Sequence, residues 1–281
     1  MAKLLIVGCG AIGSALAEQL LALGHQVSAI KRHPPETLTA NISYHRADIT
    51  VPEDLTGLAT DFTQIFFIVT ADSRSEQGYK AIYQTGLDNL IRHFACAAVK
   101  PTWFLVSSTG VYGQNQGEWV DEDSIAEPQQ ATSQWIRHAE QRLTALAAGN
   151  IVLRFSGIYG PGRESLLNMA KRSPVIQKQP SYFTNRIHQE DCIGVLVFLL
   201  GKHLAGEALA QYYLASDNDP APMWQVMSWL AEQLQCPAPT AKTEPGADCN
   251  KRCSNRRLRE LGYQFKYPDY QAGYRSLLSN S

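Results

Sequence analysis

Lys3-Leu4-Leu5-Ile6-Val7-Gly8-Cys9-Gly10-Ala11-Ile12-Gly13 is the stretch that decides the fold. A short apolar run ends in G-x-G-x-x-G, after which Ile12, Leu16, Leu20 and Leu23 recur at helical spacing until Gly24 stops them. Strand, glycine loop and amphipathic helix in that order are the setting in which this spacing reads as a dinucleotide fingerprint rather than an incidental turn. Gly8 permits the tight turn, Gly10 lets the backbone approach a pyrophosphate, and Gly13 lets helix pack closely on strand. The free N–H groups of the helix start favour phosphate. The loop Gly8, Cys9, Gly10, Ala11, Ile12 and Gly13 is therefore expected to hold the pyrophosphate. The same apolar run mimics a secretion signal, but a segment bound for removal has no need of glycines at fixed spacing.

Further along, Gln26–Ile30, Ile42–His45, Ile65–Val69, Trp103–Val106 and Ile151–Phe155 are short apolar runs. Helical stretches at about 76–99 and 132–148 separate the later ones. Continuous apolar strands alternating with helices predict a parallel sheet covered on both faces. Right-handed crossovers then give a doubly wound, Rossmann-type α/β fold whose ligand lies beyond the carboxyl ends of the strands. After residue 160 the pattern loosens. Helices are expected near Ser165–Arg172, Glu190–Leu200, Met223–Leu234 and Asn255–Leu261, one more strand at Tyr212–Ala215, and a loop from Cys236 through Gly246.

The end of the second strand reports on the ribose. An NAD site usually carries an acid there, bonded to the 2′-hydroxyl. This chain has Lys31-Arg32-His33. An acid would repel a 2′-phosphate, whereas a guanidinium can clamp one through two N–H groups. NADP is the expected cofactor, with NAD as the alternative if Lys31 and Arg32 point into water. After the third strand, Asp48 can accept from the adenine amino group while Ile49 covers the ring. The alternative for Asp48 is a surface carboxylate capping the next turn.

These residues, with others, resemble the extended short-chain dehydrogenase/reductase family, the NAD(P)-dependent epimerase/dehydratases. Leu105-Val106-Ser107-Ser108-Thr109-Gly110-Val111-Tyr112-Gly113 looks like the family's strand with its catalytic serine. Leu153 to Arg163 looks like the sixth strand and its loop, Arg186-Ile187-His188-Gln189-Glu190-Asp191 like the segment returning to the nucleotide domain, and Tyr79 to Leu90 like the fourth helix. The resemblance implies Ser108 as the catalytic serine, Thr70 and Ser107 in the cofactor set, and Arg186 along the substrate cleft. It also implies a nucleotide domain of residues 1–160 plus about 186–210. A smaller, discontinuous substrate lobe would take about 161–185 and 211–281.

The departures matter as much. The family's usual G-x-x-G-x-x-G is here G-x-G-x-x-G, and its catalytic Tyr-x-x-x-Lys is missing. Counting back from Glu140 places Thr132 and Ile136 at those positions, and a shift of one places Ser133 and Arg137 there. The chain thus looks like an atypical member. A threonine or serine hydroxyl is too weak an acid for the tyrosine's task. Tyr112, near Ser108 in sequence, is the candidate substitute, though tyrosines at Tyr112 and Tyr159 also occur in relatives that keep the pair. His188 and Asp191 are expected to fix the junction between the domains. Lys251 and Arg252 either meet an anionic substrate or sit on a solvated turn. Two functions follow: an NADP-dependent epimerase-like oxidoreductase acting on a small carbonyl compound or nucleotide sugar, or a non-catalytic NADP(H) sensor.

Composition narrows the partners. Of 281 residues, 44% are hydrophobic and 18% charged, with a net charge of −1, which draws in neither nucleic acid nor an anionic membrane. The longest later apolar run, Val195 to Leu200, is too short to span a bilayer. The six cysteines, Cys9, Cys96, Cys192, Cys236, Cys249 and Cys253, lack zinc-ribbon spacing. They are read as reduced thiols of a cytoplasmic protein, a monomer or homodimer, with a small-molecule substrate and no metal.

Overall fold

Leu4, Leu5, Ile6 and Val7 are all buried, so both faces of their strand are covered, as are Ile65-Phe66-Phe67 and the run from Ile151 to Phe155. The computed structural model describes residues 1–35, 41–243 and 250–279. Its central sheet has seven strands: β1 (Lys3–Val7), β2 (Gln26–Lys31), β3 (Ile42–Arg46), β4 (Gln64–Phe67), β5 (Thr102–Ser108), β6 (Ile151–Phe155) and β7 (Tyr212–Ala215). They lie in the order β3-β2-β1-β4-β5-β6-β7. The pairs β1–β2, β2–β3, β1–β4 and β4–β5 are parallel, with Val7 opposite both Ile30 and Phe67. The order reverses at β1/β4, the switch point beyond which such sheets bind ligands. The expected Rossmann-type α/β sheet is what the chain forms.

Helix α1 (Ala11–Ala22) buries Ile12, Leu16 and Leu20. The long helical stretch expected over 76–99 runs from Glu76 to Phe94 in three parts: Glu76–Lys80, a wider π-turn at Ala81–Gly86, and Leu87–Phe94. The last residue of the π-turn makes a close approach. Gly86 stands against Ile49 so closely that a Cβ would lie 2.6 Å from the isoleucine Cγ1. Helix α2 (Ala131–Leu146) buries Ser133, Ile136, Ala139, Glu140 and Leu143.

The contacts divide the chain into two units. The first holds Met1–Val111, Pro128–Leu153 and Leu196–Tyr212; the second holds Tyr112–Glu127, Arg154–Val195 and Tyr213–Ser281. The division falls within β6 and β7. In the first unit the sheet is the core, with Phe66 stacked on Phe104 at 4.8 Å. The second is built from two-stranded pairings. Glu118–Val120 pairs with Lys251–Cys253, Gly157–Tyr159 with Arg186–His188, Val175–Gln179 with Thr240–Thr243, and Phe183–Thr184 with Ala221–Pro222. Its own core gathers Tyr159, Leu167, Val226, Met227, Leu230, Tyr270 and Tyr274, with Trp224 and Trp229 packed at the edge. Helix Tyr270–Leu278, which no earlier signal marked, is capped by Asp269, whose carboxylate accepts from Ala272 N at 2.7 Å. The strand Thr240–Thr243 lies inside the stretch expected to be a loop. Pro245, Gly246 and Cys249 lie outside the described residues.

Candidate functional site

The three glycines of the loop have three different reasons to be glycine. Gly8 has φ +93°, and a Cβ there would sit 2.2 Å from the Ile68 carbonyl oxygen. At Gly13 a Cβ would lie 2.4 Å from the Gly8 oxygen, which is the close helix–strand approach expected of it. Beside Gly10 there is open space to at least 4 Å. Gly10 is also the residue that starts α1, and no side chain caps the helix there. The first N–H to find a helical acceptor is that of Ser14, on the Gly10 oxygen at 2.8 Å. The first-turn N–H groups of α1 thus remain available to an anion.

A cleft of about 270 Å³ opens at this point. It is lined by Val7, Gly8, Cys9, Gly10, Ile30, Lys31, Arg32, Ala47, Asp48, Ile49, Ile68, Val69, Thr70 and Ile82. Of the residues singled out from sequence, the cleft gathers Gly8, Cys9, Gly10, Lys31, Arg32, Asp48, Ile49 and Thr70. Ala11, Ile12, Gly13 and Ser107 do not line it. Ile12 packs into the core and Ser107 is tied inward. Ile82 was legible only as one apolar position of a helix; it lies within the π-turn and lines the cleft. The Cys9 thiol is buried and sits 3.3 Å from Ser14 Oγ.

Asp48 and Arg32 in the cleft already have partners. Asp48 Oδ1 accepts from Thr50 N at 2.8 Å and from Thr50 Oγ1 at 2.7 Å, so this carboxylate caps the following turn. Its Oδ2 is 4.0 Å from Arg32 Nη1. Arg32 in turn forks onto Asp72, with Nη1 and Nη2 each 2.5 Å from a carboxylate oxygen. Asp72 carried no sequence signal.

At the end of β5, Ser108 Oγ accepts from Gly110 N at 3.0 Å. A Cβ on Gly110 would stand 3.1 Å from Ser133 Oγ and 3.3 Å from Ser108 Oγ. Ser133, rather than Thr132, is therefore the α2 residue that faces the turn after Ser108. One turn further, Arg137 Nη1 donates to Glu140 Oε2 at 2.8 Å, and Ser107 Oγ donates to Glu140 Oε1 at 2.5 Å. The register that pairs Ser133 with Arg137 is the one the packing selects.

Other residues expected at the site sit in the second unit. Tyr112 is 2% exposed, and its hydroxyl donates to the Asp121 carbonyl at 2.7 Å and accepts from Arg154 Nη1 at 2.9 Å. Burial pushes its pKa far up. A proton-donor role for Tyr112 does not fit these surroundings. Arg186, also 2% exposed, donates to Thr184 Oγ1 and lies over the Tyr270 ring at 5.3 Å, with Nη1 buried and without a hydrogen-bond partner among the described residues. Tyr159 is stacked on Tyr274 at 4.6 Å. Asp191 accepts from Tyr263 OH and Lys266 N through Oδ1 and from Tyr267 N through Oδ2; it pins residues 263–267 of its own unit. Lys251 is buried and donates to the Tyr112 carbonyl at 3.3 Å, while Arg252 lies between the rings of Trp119 and Phe183. Neither is a free cation on a turn. Among the described residues no three His, Cys, Asp or Glu side chains group as metal ligands, and no helix is long and apolar enough to cross a membrane.

The chain is similar over its length to several known proteins. A solved structure from Methylobacillus flagellatus, assigned provisionally to the NAD-dependent epimerase/dehydratases, is 33% identical. The match covers 99% of this chain and 98% of that one, with a TM-score of 0.84. Protein YeeZ of Escherichia coli K12 is 27% identical over 277 residues, 96% of this chain and 97% of its own. UDP-glucose 4-epimerase of Thermotoga maritima, solved with UDP-glucose, shares the fold at 19% identity and TM-score 0.80, with 99% and 97% coverage. The sequence profile of the NAD dependent epimerase/dehydratase family matches residues 4–212. With the glycine loop at the switch point of a Rossmann-type sheet, and a match spanning most of its length, the chain belongs to the NAD dependent epimerase/dehydratase family, of the extended short-chain dehydrogenase/reductase type.

Proposed function

We propose that the first unit binds NADP(H), with NAD(H) as the competing cofactor, and that the protein is an epimerase- or dehydratase-like oxidoreductase acting on a small carbonyl compound. The observation that carries this reading is the open space at Gly10, facing the uncapped start of α1 and continuous with a cleft at the switch point. Gly8, Gly10 and the α1 N–H groups would hold the pyrophosphate, Ile49 and Ile82 the apolar adenine face, and Lys31 and Arg32 the ribose end. When bound, the nicotinamide supplies or takes up a hydride.

Ser108 is the group proposed to meet the substrate oxygen. Its Oγ accepts from Gly110 N, which leaves its own O–H to donate. The chemistry lacks a strong acid beside it. Ser133 offers only a hydroxyl, and Arg137 is held by Glu140. That arrangement supports a second reading, a dinucleotide-binding protein without turnover. Titrating the protein with NADPH and NADH by nicotinamide fluorescence tests the cofactor reading. Repeating it with Arg32→Asp tests the ribose end. Binding of neither cofactor rejects the proposal. A carbonyl and nucleotide-sugar screen, beginning with UDP-glucose because the T. maritima relative was solved with it, separates the two readings. Turnover abolished by Ser108→Ala supports the enzyme; turnover unaffected by it removes Ser108 from the chemistry.

A further inference from the structure

Arg32 meets the cleft with its guanidinium already engaged. β2 and β4 lie on either side of β1, and Arg32 follows β2 while Asp72 follows Val69-Thr70-Ala71 after β4. Their fork therefore reaches across the carboxyl end of β1, above the glycine loop. Both N–H arms of the fork go to the two oxygens of one carboxylate, each at 2.5 Å, the geometry in which a guanidinium also takes a phosphate. The Nη1/Nη2 fork serves one such pair of acceptor oxygens at a time.

Lys31, Arg32 and Asp48 share this rim, with Asp48 Oδ2 4.0 Å from Arg32 Nη1, and Arg32 holds Asp72 beside it. A phosphomonoester near neutral pH brings close to two negative charges. With the fork closed on Asp72 it would enter beside two carboxylates, Asp48 and Asp72. The hydrogen bonds from Arg32 hold the Asp72 carboxyl below its ordinary range, so it stays an ionised competitor at neutral pH. The pair is also exposed, at 45% and 66% of the side chains, and exposed pairs are weak enough to be exchanged for a better partner.

We propose that Asp72 sets the cofactor preference of this site: it occupies the Arg32 fork that a 2′-phosphate would take, so a 2′-phosphorylated nucleotide must displace it, whereas one with a free 2′-hydroxyl binds with the clasp closed. Asp72 is then a specificity residue acting through Arg32, and it narrows the NADP preference that Lys31-Arg32 alone would give. The inference rests on the proposal that this cleft takes the adenosine half of a dinucleotide.

The full-length chain separates the two ideas by calorimetric titration with 2′,5′-ADP and 5′-ADP. In Asp72→Asn the ratio of the two dissociation constants is expected to move about fivefold toward 2′,5′-ADP, the scale of one exposed ion pair. Asp72→Ala, which deletes the carboxylate, should give the same shift. Arg32→Met should remove the preference for the 2′-phosphate. A ratio within twofold of the wild type in both Asp72 variants, with 5′-ADP still bound, overturns the role of Asp72 and leaves the cofactor reading standing. Failure of the wild-type chain to bind either nucleotide overturns both.

Discussion

Ser107 Oγ donates to Glu140 Oε1 at 2.5 Å, and Arg137 Nη1 donates to Glu140 Oε2 at 2.8 Å, on a carboxylate with no solvent exposure. The end of β5 and the middle of α2 are thus joined through one buried charge. Such a charge is tolerated only while its partners are present. Glu140→Ala removes the carboxylate from Ser107 and from Arg137, which keeps Tyr212 OH and some solvent, and is expected to cost about 1.5–3 kcal/mol of unfolding free energy. Ser107→Ala removes one hydrogen bond to a charged group and should cost about 1.5–3 kcal/mol. Urea unfolding reads both. An unchanged midpoint for Glu140→Ala would mean that the network adds nothing to the joint.

The three loop glycines should separate in their phenotypes. Gly8→Ala and Gly13→Ala each force a Cβ into a backbone oxygen, at 2.2 Å and 2.4 Å, and neither oxygen can yield without moving β4 or the loop. Both variants are expected to unfold at markedly lower urea than the wild type. Gly10→Ala meets nothing within 4 Å, so its stability should hold while nucleotide affinity falls, because the methyl group stands where the phosphates would approach. Equal stability losses in all three variants would show that the loop's glycines serve the fold alone.

Gly86 offers a subtler test. A Cβ there would meet Cγ1 and Cδ1 of Ile49 at 2.6 and 2.7 Å, and Ile49 lines the cleft. The buried isoleucine must shift as a whole side chain, so the stability loss in Gly86→Ala should fall at about 1–3 kcal/mol, the usual range for overpacking. The displaced isoleucine should cut adenine-nucleotide affinity several-fold. Unaltered affinity of 5′-ADP for Gly86→Ala would remove Ile49 from the binding surface.

The sheet was legible because its strands are short apolar runs punctuated by glycine, and the loop because its spacing has a mechanism. The π-turn was not, since Ile82, Leu87, Leu90, Ile91 and Phe94 still read as one helical face when a single wider turn interrupts them. Asp72 was invisible for a different reason: its role comes from a partner forty residues away across β1, and no local pattern encodes that pairing. The choice between Thr132 and Ser133 also needed coordinates, because counting from Glu140 fixes a helix register only to within a residue. Lys251 looked like a surface cation; its burial under the Tyr112 carbonyl depends on a strand pairing between residues 118–120 and 251–253 that is too short to leave a periodic signature.

His188 predicts how stability responds to acid. Its ring lies between Tyr159, at 5.2 Å, and Tyr267, at 4.0 Å, and Nδ1 accepts from Glu190 N at 3.3 Å. An accepting Nδ1 carries no proton, so the buried ring is neutral with hydrogen on Nε2. Protonation would break that contact and place a charge among aromatics. Burial and the nearby Lys266 lower the pKa, with burial the larger cause, while Glu190 and Asp191 oppose them without prevailing. The folded value therefore lies below the ordinary 6.5. Between the two values the unfolded chain binds a proton that the folded chain refuses. The contribution is full above about pH 6.5 and is lost as pH falls through the lower, folded value. His188→Gln keeps a polar side chain without the titration. The stability advantage of the wild type over His188→Gln should shrink as urea-unfolding measurements move from pH 7.5 to 5.5. Parallel stability curves for the two proteins over that range would show that the ring titrates alike in both states, and that its burial does not hold it neutral.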